Sequence, residues 1–131
     1  MKDRMKVYTD GSCLRNPGRG GWAVVFEGGR EPLTGRVPYT TNNRMELTAI
    51  LKALQATEGE LLIVSDSEYA INVSVGSWYA TLNQDLVDAI HKELEGRNVK
   101  FRWVRGHTGN RLNELANTLA QQAADTMWDN H

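Results

Sequence analysis

The chain has 131 residues, of which 40% are hydrophobic and 24% are charged, and its formal net charge is −1. This length and composition are those of one globular domain with its own core, and the near-neutral charge argues for neither a strongly basic nor a strongly acidic surface. The single cysteine, Cys13, excludes an intrachain disulfide and fits a reducing compartment. No apolar stretch reaches the length of a secretion signal or a membrane span. We therefore expect one domain, residues 1–131, in the cytoplasm.

The first third of the chain has the pattern of three strands. Short runs rich in apolar and β-branched residues alternate with glycine-rich turns at 18–21 and 27–29. The predicted strands span residues 6–10, 21–27 and 31–37. Connections this short favour antiparallel neighbours.

The remainder of the chain alternates helices with strands. Helices are predicted at 42–57, 67–75 and 82–94 and from Arg111 onward, and strands at 61–64 and 99–104. In the last strand Val99, Phe101 and Trp103 share one face, and we expect Trp103 and Trp22 in the core. The order predicts an α/β fold with a mixed five-stranded sheet, three antiparallel strands followed by two parallel ones, flanked by helices.

Two aspartates follow apolar strands. Asp10 follows the run 5–8, and Asp66 follows the run 61–64. An aspartate after a strand is most often a turn residue, but in open α/β sheets reactive groups also collect just beyond strand ends. Finding two such aspartates, one before glycine and one before serine, favours a site.

A third carboxylate lies on a helix. At about 100° per residue, Glu46 falls on the same arc as the apolar Ile50 and Ala53. A buried carboxylate without a partner is costly, so it requires a cation, a proton or a metal ion. The structural alternative is a salt bridge to Arg44 or Arg111.

These carboxylates suit a hard cation. With no cysteine or paired histidines nearby in the sequence, the donors favour Mg²⁺ or Mn²⁺ over zinc. Two such ions about 4 Å apart can activate water and stabilise the departing oxygen in a displacement at phosphorus. The pattern predicts two divalent ions and phosphodiester hydrolysis.

Four segments resemble the motifs of type 1 ribonuclease H, in the order and spacing of that family: YTDGS (8–12), TNNRMEL (41–47), VSDS (64–67) and VRGHTG (104–109). The resemblance implies an RNase H-like fold and metal-dependent hydrolysis of the RNA strand of RNA/DNA hybrids, leaving 5′-phosphate and 3′-hydroxyl ends. It implies that Asp10 bridges two metals and that Glu46 and Asp66 help to hold one of them. By the same resemblance Glu46 also faces the RNA sugar, and His107 serves proton transfer and product release.

One position departs from the family pattern. Where the family normally has an aspartate at the start of the last helix, this chain has Asn113. An amide oxygen can ligate Mg²⁺ but adds no negative charge, and Glu114 points about 100° away. Asn113 is either a natural variant that ligates through its amide or an engineered change that traps substrate. Both predict intact hybrid binding, with cleavage slowed or more dependent on Mn²⁺.

The resemblance also implies contacts with the hybrid. Residues expected to face the RNA strand are Cys13, Asn16, Asn42 and Glu68. Those expected on the DNA strand are Thr41, Asn43 and Asn83, with Tyr69 and Trp78 stacked on its sugars. Cys13 is expected to act as a small loop residue rather than a reactive thiol.

Two further departures concern binding strength. Tyr39 stands where many members have an arginine, and segment 67–90 has no lysine or arginine, whereas some bacterial members carry a basic protruding helix there. We therefore expect weaker hybrid binding through fewer phosphate contacts.

Three functional hypotheses remain at this level. The first is a monomeric hybrid-specific endoribonuclease that does not contact membranes. The second is a hybrid-binding module whose cleavage is impaired or lost through Asn113. The third is another nuclease or recombinase of the same fold that acts on DNA.

Overall fold

A computed structural model describes residues 5–106 and 109–125. The strands are β1 (Met5–Cys13), β2 (Gly18–Phe26), β3 (Leu33–Thr40), β4 (Leu61–Ser65) and β5 (Val99–Trp103). The helices are α1 (Asn42–Gln55), α2 (Glu68–Val75), α3 (Gln84–Leu94) and α4 (Arg111–Asp125).

The strands form one sheet in the order β3-β2-β1-β4-β5. The pairs β1–β2 and β2–β3 are antiparallel, and the pairs β1–β4 and β4–β5 are parallel. The short early connections and the later helical crossovers require this arrangement. The predicted mixed five-stranded sheet is confirmed, with β1 at its centre.

Helices cover both faces of the sheet. Neighbouring residues of β1 point to opposite sides, and the side chains on each side pack against helices. Val7 packs in a core with side chains of α1, α2 and α3, including Ile50 of α1. Tyr8 packs on the other side with Val64 and with Ala116 of α4. Residues two apart along β1 therefore face the same helical layer.

The first two strands are longer than predicted. Residues 18–21 were expected to form a turn, but Gly20 and Gly21 pair with β1 inside β2. A Cβ atom at Gly21 would lie 2.5 Å from the carbonyl oxygen of Ala120. Glycine is needed here because α4 packs directly against the backbone of β2, not because the chain turns.

The two tryptophans that are predicted to lie in the core differ in their burial. Trp22 packs against the core, as predicted. The prediction for Trp103 is wrong, because its side chain is 43% exposed. It ends β5, an edge strand, and its ring N–H donates a hydrogen bond to the backbone oxygen of Asp66 at 3.2 Å. Between residues 5 and 125, apart from 107–108, no helix has the length and apolar character needed to cross a membrane.

Candidate metal centre

The sheet brings Asp10 and Asp66 to the same face. Tyr8 of β1 lies opposite Val64 of β4 in a parallel pair, and each aspartate comes two residues later. With the side-chain period of two, both aspartates point toward α4. Asp66 follows β4 directly, as predicted, but Asp10 lies inside β1, where it pairs with Ala23 of β2. The prediction that Asp10 lies beyond its strand is wrong, because β2 continues to pair with β1 after β4 has ended.

Gly11 allows Glu46 to approach the aspartates from the opposite layer. A Cβ atom at Gly11 would lie 2.3 Å from the backbone nitrogen of Glu46, a separation that real Cβ atoms do not show. Without that atom α1 lies against β1, and the Gly11 N–H donates a hydrogen bond to Glu46 Oε1 at 3.2 Å. The bond fixes one carboxylate oxygen of Glu46 beside the central strand.

The three carboxylates form a cluster. One oxygen from each of Asp10, Glu46 and Asp66 lies within 4.8 Å of the other two. Asp10 is 3% exposed, and the other two are partly buried. The chain after β5 also approaches this cluster, since a Cβ at Gly106 would lie 3.0 Å from Asp66 Oδ2. The structure therefore brings together the predicted carboxylates.

Burial and mutual repulsion make this cluster hard to ionise. Burial, followed by the nearby charge of Asp66, raises the pKa of Asp10 to about 8, although the Gly11 N–H opposes the shift. Burial, then Asp10 and then Asp66, raises the pKa of Glu46 well above its usual value. Without a cation, the cluster retains protons near neutral pH.

The alternative of a salt bridge at Glu46 is wrong. The Arg44 guanidinium instead donates to both carboxylate oxygens of Asp85, at 2.7 and 3.0 Å. Among the residues that the structure describes, Arg111 forms no ion pair with Glu46. The charge of Glu46 is thus not neutralised by either arginine.

Asn113 lies on the buried face of α4 and is 2% exposed. Its backbone N–H is bonded to Asn110 Oδ1 at 3.0 Å, but its own Oδ1 is buried with no hydrogen-bond partner in the described chain. Such an oxygen costs about 1–3 kcal/mol and needs an explanation. One turn along the helix, Ala116 packs against Val64. The unpaired oxygen therefore belongs to the face that carries Asp10.

The available donors fit a hard divalent cation. Three carboxylates and one unpaired amide oxygen are oxygen ligands, and no described histidine or cysteine joins the cluster. A cation would offset the repulsion that raises the carboxyl pKa values, and the unpaired Asn113 Oδ1 on the same face of the sheet is a further oxygen of the kind that such a cation prefers. Glu114 points elsewhere, as expected, and accepts a hydrogen bond from the Gly109 N–H at 3.0 Å.

Two of the residues expected to face RNA, Asn16 and Asn42, are in contact. Asn16 Oδ1 accepts a hydrogen bond from the Asn42 N–H at 3.2 Å. Cys13 is the last residue of β1 and not a loop residue as expected, because β2 still pairs with it, and its Sγ donates to the Arg15 oxygen at 2.7 Å. Glu68 is exposed at the start of α2, two residues beyond Asp66.

The residues expected to face DNA are linked through Arg44. Its guanidinium donates to Asn83 Oδ1 at 3.3 Å, and Asn83 Nδ2 donates to the Tyr69 hydroxyl at 3.0 Å. Thr41 caps the start of α1, the helix that carries Arg44, by accepting a hydrogen bond from the Arg44 N–H at 3.2 Å. The sequence did not indicate this role of Arg44, whose partner Asp85 is 41 residues away.

Two other residues expected to contact DNA do not join this network. Asn43 is exposed in the first turn of α1. Trp78 is 48% exposed in the segment between α2 and α3. His107 lies outside the described residues.

Comparison with known proteins identifies the family. A model of the family RNase H matches residues 2–125. The chain belongs to the RNase H family. It is 38% identical to ribonuclease H of Pseudomonas paraeruginosa (strain DSM 24068 / PA7), over 92% of this chain and 93% of that protein. It is 39% identical to ribonuclease H of Nitratidesulfovibrio vulgaris (strain DP4), over 90% of this chain and 87% of that protein.

Solved RNase H structures share the fold. LC9-RNase H1, a type 1 RNase H with the type 2 active-site motif, superposes with a TM-score of 0.78 at 32% identity, covering 92% of this chain and 72% of that one. LC11-RNase H1 in complex with RNA/DNA hybrid gives a TM-score of 0.80 at 23% identity, covering 93% and 97%. The second likeness supports the RNase H fold alone.

The stability of this RNase H without metal should fall as the pH rises. Asp10 titrates near 3.8 when unfolded and at about 8 when folded, so the folded chain holds a proton that the unfolded chain has lost in this interval. The stability from this proton is complete below about pH 4 and is lost as the pH rises through about 8. Urea unfolding in EDTA across this range measures the slope. An Asp10→Asn variant with the same slope as wild type would contradict the assignment.

Proposed function

We propose that this chain is an endoribonuclease that hydrolyses the RNA strand of RNA/DNA hybrids with two divalent ions, Mg²⁺ or Mn²⁺, leaving 5′-phosphate and 3′-hydroxyl ends. The observation that carries the proposal is the cluster of Asp10, Glu46 and Asp66 within 4.8 Å, on the face to which the unpaired oxygen of Asn113 belongs. Relatives named ribonuclease H, which align over most of this chain, support it.

In this proposal the ions are held by Asp10, Glu46, Asp66 and Asn113. Bound divalent ions supply positive charge that makes water a stronger nucleophile and stabilises the departing oxygen. Asp10 lies in the central strand of the sheet, and the Gly11 N–H orients Glu46. The ligands are therefore preorganised by the backbone before any substrate binds.

We assign proton transfer at the scissile phosphate to His107. Histidine has the ordinary pKa closest to neutrality, so it can accept and release a proton under physiological conditions. Its segment continues from Gly106, which adjoins Asp66. This position in the chain supports a role beside the carboxylates.

Hybrid recognition is proposed to use neighbouring contacts for the two strands. The pair Asn16 and Asn42 would read 2′-hydroxyl groups of RNA across the minor groove. The network of Thr41, Asn83 and Tyr69 would hold the DNA backbone. We further propose that the chain is a monomer with one domain that acts in the cytoplasm.

Cleavage of matched duplexes tests the function. An RNA/DNA hybrid, a DNA duplex and an RNA duplex of one sequence are incubated with Mg²⁺ or Mn²⁺, and the product ends are mapped. We expect cuts only in the RNA strand of the hybrid. Cutting of the DNA duplex would instead support a DNA-acting nuclease of this fold.

A hybrid-binding module is the second candidate, and Asn113 is the observation that favours it. The chain has an uncharged amide where the family normally has an aspartate. Tight hybrid binding with no cleavage in either metal would support the binding module and overturn the enzyme proposal.

A further inference from the structure

A basic groove lies beside the residues that we assign to the RNA strand. It has a volume of about 620 Å³ and is bounded by the loop after β1 and by the end of β3. Arg15 lines it from the loop, Arg19 lines it from the start of β2, and Pro38 and Tyr39 line it from β3. The volume is within the range of about 300–1,000 Å³ found for ligand sites. This feature is called the Arg15–Tyr39 groove below.

The loop side of the groove is held in one shape. The Leu14 N–H donates to the Arg19 oxygen at 2.9 Å, closing the loop at its base. Asn16 Oδ1 is bonded to the Asn42 N–H, which ties the loop to the start of α1. At Gly18 a Cβ atom would lie 2.7 Å from the Arg15 oxygen, so the loop packs tightly on itself. The two arginines are therefore presented on a fixed backbone.

Both arginines have charge available for a ligand. Arg15 and Arg19 are exposed, and within residues 5–106 and 109–125 neither forms an ion pair. Tyr39 is 72% exposed, which leaves its ring open for stacking. By contrast, segment 67–90 has no lysine or arginine, and one of its three carboxylates, Asp85, is paired with Arg44. A polyanion near the metal centre would find favourable charge at the groove and repulsion at the α2–α3 surface.

We propose that the Arg15–Tyr39 groove binds a phosphodiester segment of the hybrid that continues from the strand at Asn16 and Asn42. The guanidinium groups of Arg15 and Arg19 would contact phosphate oxygens, and the Tyr39 ring would stack on a sugar or base. This inference rests on the proposed function, because it adds a second contact area for the same substrate.

The salt dependence of hybrid binding tests the groove. Affinity is measured in EDTA at several salt concentrations for wild type and for the Arg15→Ala/Arg19→Ala variant. The slope of log K against log salt is negative, and each lost phosphate contact makes it shallower by roughly 0.9. We therefore expect the magnitude of the slope to decrease by about one to two in the variant. The matched control is Lys52→Ala/Lys92→Ala, which removes two exposed charges from the last turns of α1 and α3 and should keep the wild-type slope.

A second measurement identifies the contacted strand. Hybrids with a single methylphosphonate, which removes one phosphate charge, are scanned along each strand. At the contacted phosphate the change should weaken wild-type binding and have no further effect on the Arg15→Ala/Arg19→Ala variant. If wild type cuts hybrid, two results would overturn the groove proposal. One is an unchanged salt slope in the variant, and the other is that no methylphosphonate position on either strand weakens wild-type binding without also weakening binding by the variant. A wild-type chain that neither binds nor cuts hybrid would overturn the proposed function itself.

Discussion

Replacing Asp10 with asparagine should strongly decrease hybrid cleavage and, without metal, make the protein more stable at about pH 8. The loss of a shared carboxylate ligand should cost several kcal/mol of transition-state stabilisation, which is roughly a 10³-fold decrease in rate. Stability should increase because asparagine avoids the burial and repulsion that raise the pKa of Asp10 to about 8. Single-turnover cleavage with Mg²⁺ and urea unfolding in EDTA measure the two effects.

An exposed aspartate provides the matched control. Asp88 lies on the surface of α3, where it accepts a hydrogen bond from Gln84, so Asp88→Asn makes the same chemical change outside the cluster. It should alter neither rate nor metal-free stability appreciably. If Asp10→Asn also retained wild-type cleavage, Asp10 would not be a ligand.

Replacing Asn113 with aspartate should increase cleavage and decrease metal-free stability. A fourth carboxylate adds negative charge to the ligand set, so we expect the Mg²⁺ concentration for half-maximal cleavage to fall by roughly tenfold or more. Asn113 is 2% exposed, and an ionised side chain there would be buried beside a cluster that already resists ionisation. In EDTA near pH 8 we expect a loss of about 1–3 kcal/mol, which saturating Mg²⁺ should reverse.

Asn117→Asp is the control for this gain. Asn117 lies one turn later on α4 and is partly exposed, so its new charge can be solvated. If Asn113→Asp left both metal affinity and metal-free stability unchanged, Asn113 would lie outside the ligand set. If cleavage appeared only in Asn113→Asp, the binding-module hypothesis would describe the chain with asparagine.

Hydrophobic periodicity was sufficient to predict most of the fold. The apolar arc that contains Ile50 and Ala53 is the buried face of α1, as the helical period predicts. The errors arose where tertiary packing determines the role of a residue. Glycines at 20 and 21 look like turn residues but provide space for neighbouring elements. Trp103 looks like a core residue because it alternates with polar neighbours, but β5 is an edge strand.

Two different sequence patterns predict the residues of the carboxylate cluster. Asp10 and Asp66 each follow an apolar run that indicates a strand, and Glu46 interrupts an apolar helical arc. The bond from the Gly11 N–H to Glu46 joins residues 35 apart, and no local pattern encodes it. The link from Arg44 to Asn83 likewise depends on how α1 and α3 meet in three dimensions.

The position of Gly11 means that no single part of the chain can assemble the proposed metal centre. Asp10 belongs to the central strand, Glu46 arrives from the helical layer on one side, and Asn113 lies in the helix on the other. The donors therefore converge only after both layers have packed onto the sheet. Metal affinity is therefore expected to report completion of the tertiary structure, because a chain in which either layer has not packed onto the sheet lacks part of the proposed ligand set.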